Sequence, residues 1–350
     1  MENCLVLHIL GMKSYGDNIS STDGGTYSLT SSVEIFSDFV SEMNARATQA
    51  DAQELAGWAI DHLSNVIGFD CAWYGWAKLS AQDIEIYANA TLNLPETYYG
   101  DWQDMSEQDL LAMGVLSDPN RVATYDRAGS EQTEGMMALS DGYGLNKMAT
   151  AMRFNPGQLA SFYLSSYRGG KLAKKWSKDE LVFLKCAVDQ LSIAMELTAN
   201  EHLPRPHSQT VTIFVNEDGR GILGLQNLKD HLSEHLPNWD GERLPKSLRD
   251  IVAKPGYHML KDLNLMVASQ AASGEHSMGL HKLTLRPLTS FDLLTKREQA
   301  VAEVLAQGKS HKETARILGV APSTIRNQTQ SIYSKLDVDN RVSLAAHLPG

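Results

Sequence analysis

Apolar residues recur along this chain with two different periods, and the changes of period divide it into segments. Ile35, Phe39 and Met43, then Leu55, Ile60, Leu63 and Ile67, fall at helical spacing, and the second run stops at Gly68. Cys71 to Lys78 and Ile84 to Ala90 are strand-like. A polar middle section carries Tyr98 to Met113. Beyond it Ala149 to Phe154 and Leu159 to Ser165 predict further strands, and Trp176 to Leu197 predicts one long amphipathic helix. Helices flanking a sheet predict an α/β/α sandwich.

The pattern then restarts. Pro204 and Pro206 mark a linker over residues 199–209. Thr210 to Val215 is an alternating β-branched strand, Asn216 to Gly219 a turn and Leu225 to Leu236 a helix. Asn264 to Ala268 and His281 to Arg286 predict short strands, with Ser269 to Met278 as a flexible insert between them. A third pattern follows. Leu294 to Glu298 opens a helix with Val301, Val304 and Leu305 on one face, and Gly308 ends it. Thr314, Ala315 and Leu318 share a face of a second helix. Pro322 suits the first position of a third, whose inward face carries Ile325, Ile332 and Leu336 with Tyr333 beside them. The other face presents Ser323, Arg326, Asn327 and Gln330, with Lys335 near the helix end. Arg suits a guanine edge and Asn or Gln an adenine edge, because each forms two parallel hydrogen bonds in the major groove.

Charge sharpens this picture. The 350 residues are 43% hydrophobic, which predicts a globular chain of two or three domains. The net charge of −11 opposes diffuse binding to nucleic acid or to an anionic membrane surface. From Phe291 onward, however, 8 Lys or Arg stand against 6 Asp or Glu, while upstream the numbers are 23 and 36. Only the last segment suits a phosphate backbone. Cys4, Cys71 and Cys186 are odd in number and far apart, which predicts neither a disulfide framework nor a zinc site. The apolar run near the start has no basic residue before it, and no stretch approaches a membrane span, so the expected location is cytoplasmic. Residues 11–31 are rich in Ser, Thr, Gly and Asp, so residues 1–31 are expected to be a loose arm, with order beginning near Ser32.

The C-terminal residues resemble the LuxR-type helix-turn-helix domain. Leu294-Thr-Lys-Arg-Glu298 matches its L-T-x-R-E start, Leu318-Gly-Val320 its turn, and Thr324 to Leu336 its recognition helix. Arg326 stands where that family has Lys, Gln328 where it has His, and Ala321 where a capping Ser is usual. The loss of a capping oxygen costs about 0.5–2 kcal/mol unless another group, such as Thr324, replaces it. The resemblance implies DNA contacts from Ser323, Thr324, Arg326, Asn327, Gln330 and Lys335, the last chiefly to phosphate. It also implies a dimer contact on the final helix through Val342, Ala345 and Leu348, a palindromic operator, and RNA polymerase as a further partner. Those three apolar residues equally suit closure of the domain's own core.

Residues 32–198 resemble GAF and autoinducer-binding sensor domains, through Gly68-Phe-Asp70, Tyr74-Gly75, Tyr143-Gly-Leu145 and the long closing helix. Acyl-homoserine-lactone receptors carry Pro-x-x-Trp-x-x-x-Tyr, which falls here on Pro95-Glu-Thr-Tyr98 and Trp102 with the aromatic types exchanged. The acidic ligand contact falls on Asp109 or Asp118. Four of the six tryptophans lie within residues 58–102, so a ligand pocket is expected from Trp73, Tyr74, Trp76, Tyr98, Trp102 and Asp109. Alternation puts Trp73 and Gly75 on one strand face and Tyr74 and Trp76 on the other, and only one pair can face a cavity. Residues 210–288 resemble a shortened PAS-like connector.

Other motifs read as structure. Gly219-Arg-Gly-Ile-Leu-Gly224 has dinucleotide spacing, but Asn238-Trp-Asp-Gly-Glu-Arg243 follows as a loop where a second parallel strand should end in an acid, so a hairpin is expected. His231 and His235 lack a third ligand and are expected on a solvated helix face. No nucleophile-and-base arrangement or phosphate loop is visible, so neither catalysis nor a cofactor or metal is expected. The architecture expected is α+β and multidomain: an α/β/α sensor (32–198), a small α+β connector (210–288) and an all-α four-helix domain (289–350). The expected function is a DNA-binding transcription regulator controlled by a small-molecule signal. The alternative is the same regulator with a protein partner in place of that molecule.

Overall fold

The computed structural model describes residues 26–80, 83–154, 159–201, 210–232, 236, 238–271 and 278–348. Residues 1–41 form one compact unit and residues 42–350 a second. Helix α1 (Thr26–Ala47) opens at Thr26, earlier than the Ser32 expected, and residues 1–25 of the expected arm lie outside the described residues. Helix α2 (Ala52–Leu63) is started by Asp51, whose carboxylate accepts from Gln53 and Glu54 backbone N–H groups, and a π turn carries it to Gly68. Strands β1 (Cys71–Leu79) and β2 (Ile84–Leu92) follow, then helices α3 (Tyr98–Gln103) and α4 (Leu110–Ser117). The section read as polar is therefore partly helical. Its α4 is capped by Asp109, whose carboxylate accepts from the Leu111 and Ala112 N–H groups. Strand β3 (Ala123–Asp126) and helix α5 (Glu134–Tyr143) had no sequence counterpart, and β4 (Leu145–Arg153), β5 (Ser161–Gly169) and α6 (Lys178–Glu201) complete the set.

The sheet runs β2-β1-β5-β4-β3, with every neighbouring pair antiparallel. One face packs on α3, α4 and α5 through Trp73, Tyr98, Trp102, Leu111, Met136, Met152 and Tyr163. The other carries Tyr74, Trp76, Phe162 and Leu164, and α6 packs on β4 and β5 and against α2. Three layers result, as the helix-strand-helix order predicts.

A second antiparallel sheet, in the order β7-β6-β10-β9-β8, contains β6 (Val211–Val215), β7 (Gly221–Leu223), β8 (Gly256–Leu260), β9 (Leu265–Ala271) and β10 (His281–Pro287). Helices α7 (Leu225–Leu232) and α8 (Lys246–Val252) cover one face through Leu228, Leu232, Leu248, Ile251 and Val252. Ser269 to Ala271 belong to β9 rather than to a flexible insert. Ser269 is buried, and its hydroxyl donates to Val252 O at 2.8 Å. Residues 272–277 lie outside the described residues, as do His235 and the side chain of His231.

The glycine-rich segment is a hairpin: Gly219 N–H donates to Asn216 O, and β7 returns antiparallel to β6. The passage out of this sheet is pinned twice. Leu288 N–H donates to Asn264 O, and Arg286 donates two 2.6 Å hydrogen bonds to the buried carboxylate of Asp292. Beyond it stand α9 (Lys296–Ala306), α10 (His311–Leu318), α11 (Pro322–Leu336) and α12 (Arg341–Ala346) around Phe291, Val301, Leu305, Ile325, Ile332 and Leu344.

Candidate functional site

Local chemistry sets the geometry of the C-terminal helices. Thr295 and Ser310 each form a reciprocal capping box, with Glu298 and Glu313 three residues on, so α9 and α10 start at defined residues. Gly319, at φ +66°, closes α10 in the left-handed conformation. Helix α11 begins at Pro322 with Ala321 as its cap and no side-chain hydrogen bond there, so Thr324 does not replace the missing oxygen.

Ile325, Thr329, Ile332 and Leu336 point inward, and Thr329 satisfies its hydroxyl on Ile325 O at 2.7 Å. Ser323, Arg326, Asn327 and Gln330 are exposed on the other side, and Thr324 is half-buried between the two faces. Among the described residues no hydrogen bond or ion pair occupies Arg326, Asn327 or Gln330. Lys335 differs. Its ammonium donates to both carboxylate oxygens of Glu298 at 2.8 Å, tying α11 to α9. Ser331 and Thr295 donate to the same carboxylate. The Lys335 ammonium and its neighbouring donors hold the Glu298 carboxyl down at about 2.

Of the three apolar residues expected there, Val342 is 83% exposed and Ala345 is exposed on α12, and Leu348, just beyond it, packs partly against the core edge, while Leu344 closes the core in their place.

The aromatic residues divide by strand face. Trp73 stands at the centre of a chamber, with ring centroids 4.8 Å from Trp102, 5.2 Å from Tyr163 and 5.6 Å from Tyr98. Trp102 Nε1 donates to Asp109 at 2.8 Å, Tyr98 to the Tyr167 hydroxyl at 2.9 Å, and Trp73 Nε1 to Asn89 at 3.1 Å. Burial raises the Asp109 carboxyl above the usual range, against the Trp102 and backbone donors that favour its charged form. Asp118, the other acid onto which the resemblance falls, instead follows α4 and is absent from this wall.

Tyr74 and Trp76 are not part of the chamber. They lie on the opposite face, where Trp76 meets Phe162 at 5.2 Å and burial pushes the Tyr74 phenol up to about 12. The remaining void beside Trp73, Trp102 and Tyr163 is about 30 Å³, room for no more than a few waters. The Tyr163 hydroxyl is buried against it without a partner among the described residues. Tyr163 and Tyr167 went unnoticed in the sequence. The expected strand through Leu159 to Ser165 contains Tyr163, yet its register opposite Gly75 depends on long-range pairing that spacing does not reveal.

The family model for bacterial regulatory proteins of the luxR family matches residues 292–348. The transcriptional regulatory protein UhpA of Escherichia coli (strain K12) is 47% identical over 57 residues, 16% of this chain and 29% of that protein. The chain thus spans less than a third of that relative's length. The spore germination protein GerE of Bacillus subtilis (strain 168) is 41% identical over 56 residues, 16% of this chain and 76% of that protein. Among solved structures, Escherichia coli SdiA is similar with 14% identity and a TM-score of 0.36, covering 89% of this chain and 96% of that one. On the sequence match over most of GerE, together with four C-terminal helices in helix-turn-helix order, this chain belongs to the LuxR family of bacterial regulatory proteins.

Proposed function

We propose that the chain is a sequence-specific DNA-binding regulator, with α11 as the helix that enters the major groove. The observation that carries the reading is the exposed polar face of Ser323, Arg326, Asn327 and Gln330 on a helix whose other face is locked into a core. Arg326 and Asn327 read base edges, Ser323 and Thr324 contact the backbone at the helix start, and Gln330 reads one turn further on. Lys335 contributes to phosphate binding only through the N–H that Glu298 leaves over, and its main work is to set the tilt of α11. Arg326→Ala and Asn327→Ala should each abolish selective binding in a mobility-shift titration against genomic fragments, with near-native circular dichroism. Unchanged selectivity in both variants would sink the assignment.

In the same reading, residues 32–198 are a sensor, 210–288 a connector and 289–350 the DNA-binding domain. A small molecule in the aromatic chamber shifts the population of two dimer arrangements, and Val342, Ala345 and Leu348 supply part of the dimer contact. Support for the chamber comes from Trp73, Tyr98 and Trp102 meeting around Asp109, with an unpaired Tyr163 hydroxyl. The small void favours a second reading, in which the domain binds a protein partner and the aromatic cluster is its core. Native against denaturing mass spectrometry separates them. A small mass lost on unfolding identifies a bound molecule, and an unchanged mass moves the assignment to the partner.

A further inference from the structure

Strand β2 lies at the edge of the first sheet and does two things at once. Ile84 and Ile86 line the void beside Trp73 and Trp102. Between and beyond them, Glu85 and Tyr87 face the second sheet. The pairing of β1 with β2 shifts register here, from Trp76 opposite Ala88 to Ala77 opposite Ile86, so Tyr87 is the extra residue of a β-bulge. A bulge leaves one residue unpaired and re-aims its side chain.

Everything Tyr87 then offers is taken by the second sheet. Asn216, at the β6–β7 turn, donates to its carbonyl at 3.1 Å, occupying the group the bulge leaves free. Its hydroxyl accepts from Arg220 at 3.0 Å and donates to Glu242 at 3.2 Å, while the Arg220 guanidinium lies 5.0 Å from its ring centroid. Glu85 pairs with Arg220 at 2.8 Å, and Lys78, opposite Glu85 on β1, pairs with Glu242. Asn216 also fixes the hairpin by accepting from Arg220 N–H at 2.9 Å. The one hydroxyl of Tyr87 therefore joins Arg220 and Glu242, two of the four charges of a cluster drawn from β1, β2, the turn before β7 and the loop before α8.

We propose that Tyr87 is a positioning residue that couples the aromatic chamber to the second sheet. This rests on reading the chamber as a site whose contents change. Packed interiors do not compress, so a change of volume beside Ile84 and Ile86 displaces the edge strand. Hydrogen bonds at 3.0 and 3.2 Å weaken steeply with distance and angle, so displacement of the bulge redistributes Arg220 and Glu242 between their partners. From the second sheet the paired Arg286 and Asp292 lead on to the helices.

The test needs neither DNA nor a signal molecule. Ile86→Ala enlarges the chamber from the inner face of β2, and amide hydrogen exchange of the full chain is followed over residues 216–223. Exchange there should change on the order of threefold to tenfold, the size of coupling shown by residues in one hydrogen-bonded network. In a Tyr87→Phe background, which keeps the ring and removes the hydroxyl, the effect of Ile86→Ala on 216–223 should fall to the part carried by Asn216 on the residue-87 carbonyl and by the Glu85–Arg220 pair, while its effect on β1 and β2 persists. A merely structural tyrosine would give additive effects, and an equal response in both backgrounds overturns the proposal, as does no response at 216–223 in the parent chain. If Tyr87→Phe does not fold, Arg220→Gln takes its place with the same two outcomes. Failure would leave operator binding untouched. Failure of the signal reading is detected separately, by mass.

Discussion

Gly75 and Glu298 show what single positions decide. A Cβ on Gly75 would lie 2.0 Å from Ala88 O and 2.7 Å from Asn89 Cα, so no larger residue fits between β1 and β2. Gly75→Ala should cost about 1–3 kcal/mol or more, as overpacking does, and tryptophan fluorescence during urea unfolding will report it through the adjacent Trp73 and Trp76. Glu298 gathers donors from Thr295, Ser331 and Lys335, and Glu298→Gln should destabilise the C-terminal helices by about 1.5–3 kcal/mol. Its carboxyl titrates near 4.5 when unfolded and about 2 when folded, so the folded state binds fewer protons across that interval. The stabilisation is present above about pH 4.5 and is lost as pH falls toward 2. Thermal unfolding of the C-terminal helices against pH should show this slope in the parent and a flatter one in Glu298→Gln. Ser331 and Lys335 were hidden in the sequence as partners of Glu298 because they lie 33 and 37 residues away.

At the scale of elements, legibility followed the strength of local signals. Helices α9 and α10 were readable because Thr295 and Ser310 start them and Gly308 and Gly319 follow them, all signals within a few residues. Strands β3 and β8 were not, because Ala123–Asp126 and Gly256–Leu260 are short and exist by pairing with β4 and β9. Helix α4 was missed for a different reason. Its residues, Leu110–Ser117, are apolar on most sides although only Leu111 and Val115 are buried against the chamber, so no helical stripe stands out. Helix α11 was legible down to its missing cap. Ala321→Ser should add the absent acceptor and raise the stability of the C-terminal helices by about 0.5–2 kcal/mol, measurable as a higher unfolding midpoint.

Over the whole molecule, the expected α+β class, with one sheet between helices, a smaller sheet and a C-terminal set of helices, is what the elements form, whereas the way they hold one another was not readable. The ion cluster of Lys78, Glu85, Arg220 and Glu242 joins residues more than 130 positions apart, and nothing local marks them as partners. Val342 is the position at which assembly should be testable. Val342→Asp on that exposed site should leave the helices folded and lower the fraction of dimer in sedimentation velocity, and an unaltered dimer would place the contact elsewhere. For the dimer on DNA proposed above, the paired Arg286 and Asp292, with Leu288 held on Asn264, would set the length of DNA it accepts. A reading head on a slack tether can reach half-sites at several separations, but one pinned to a sheet must meet them at a single phase of the double helix. Inserting about five base pairs between half-sites turns one of them to the far side of the duplex, and this regulator should then lose its grip on the pair.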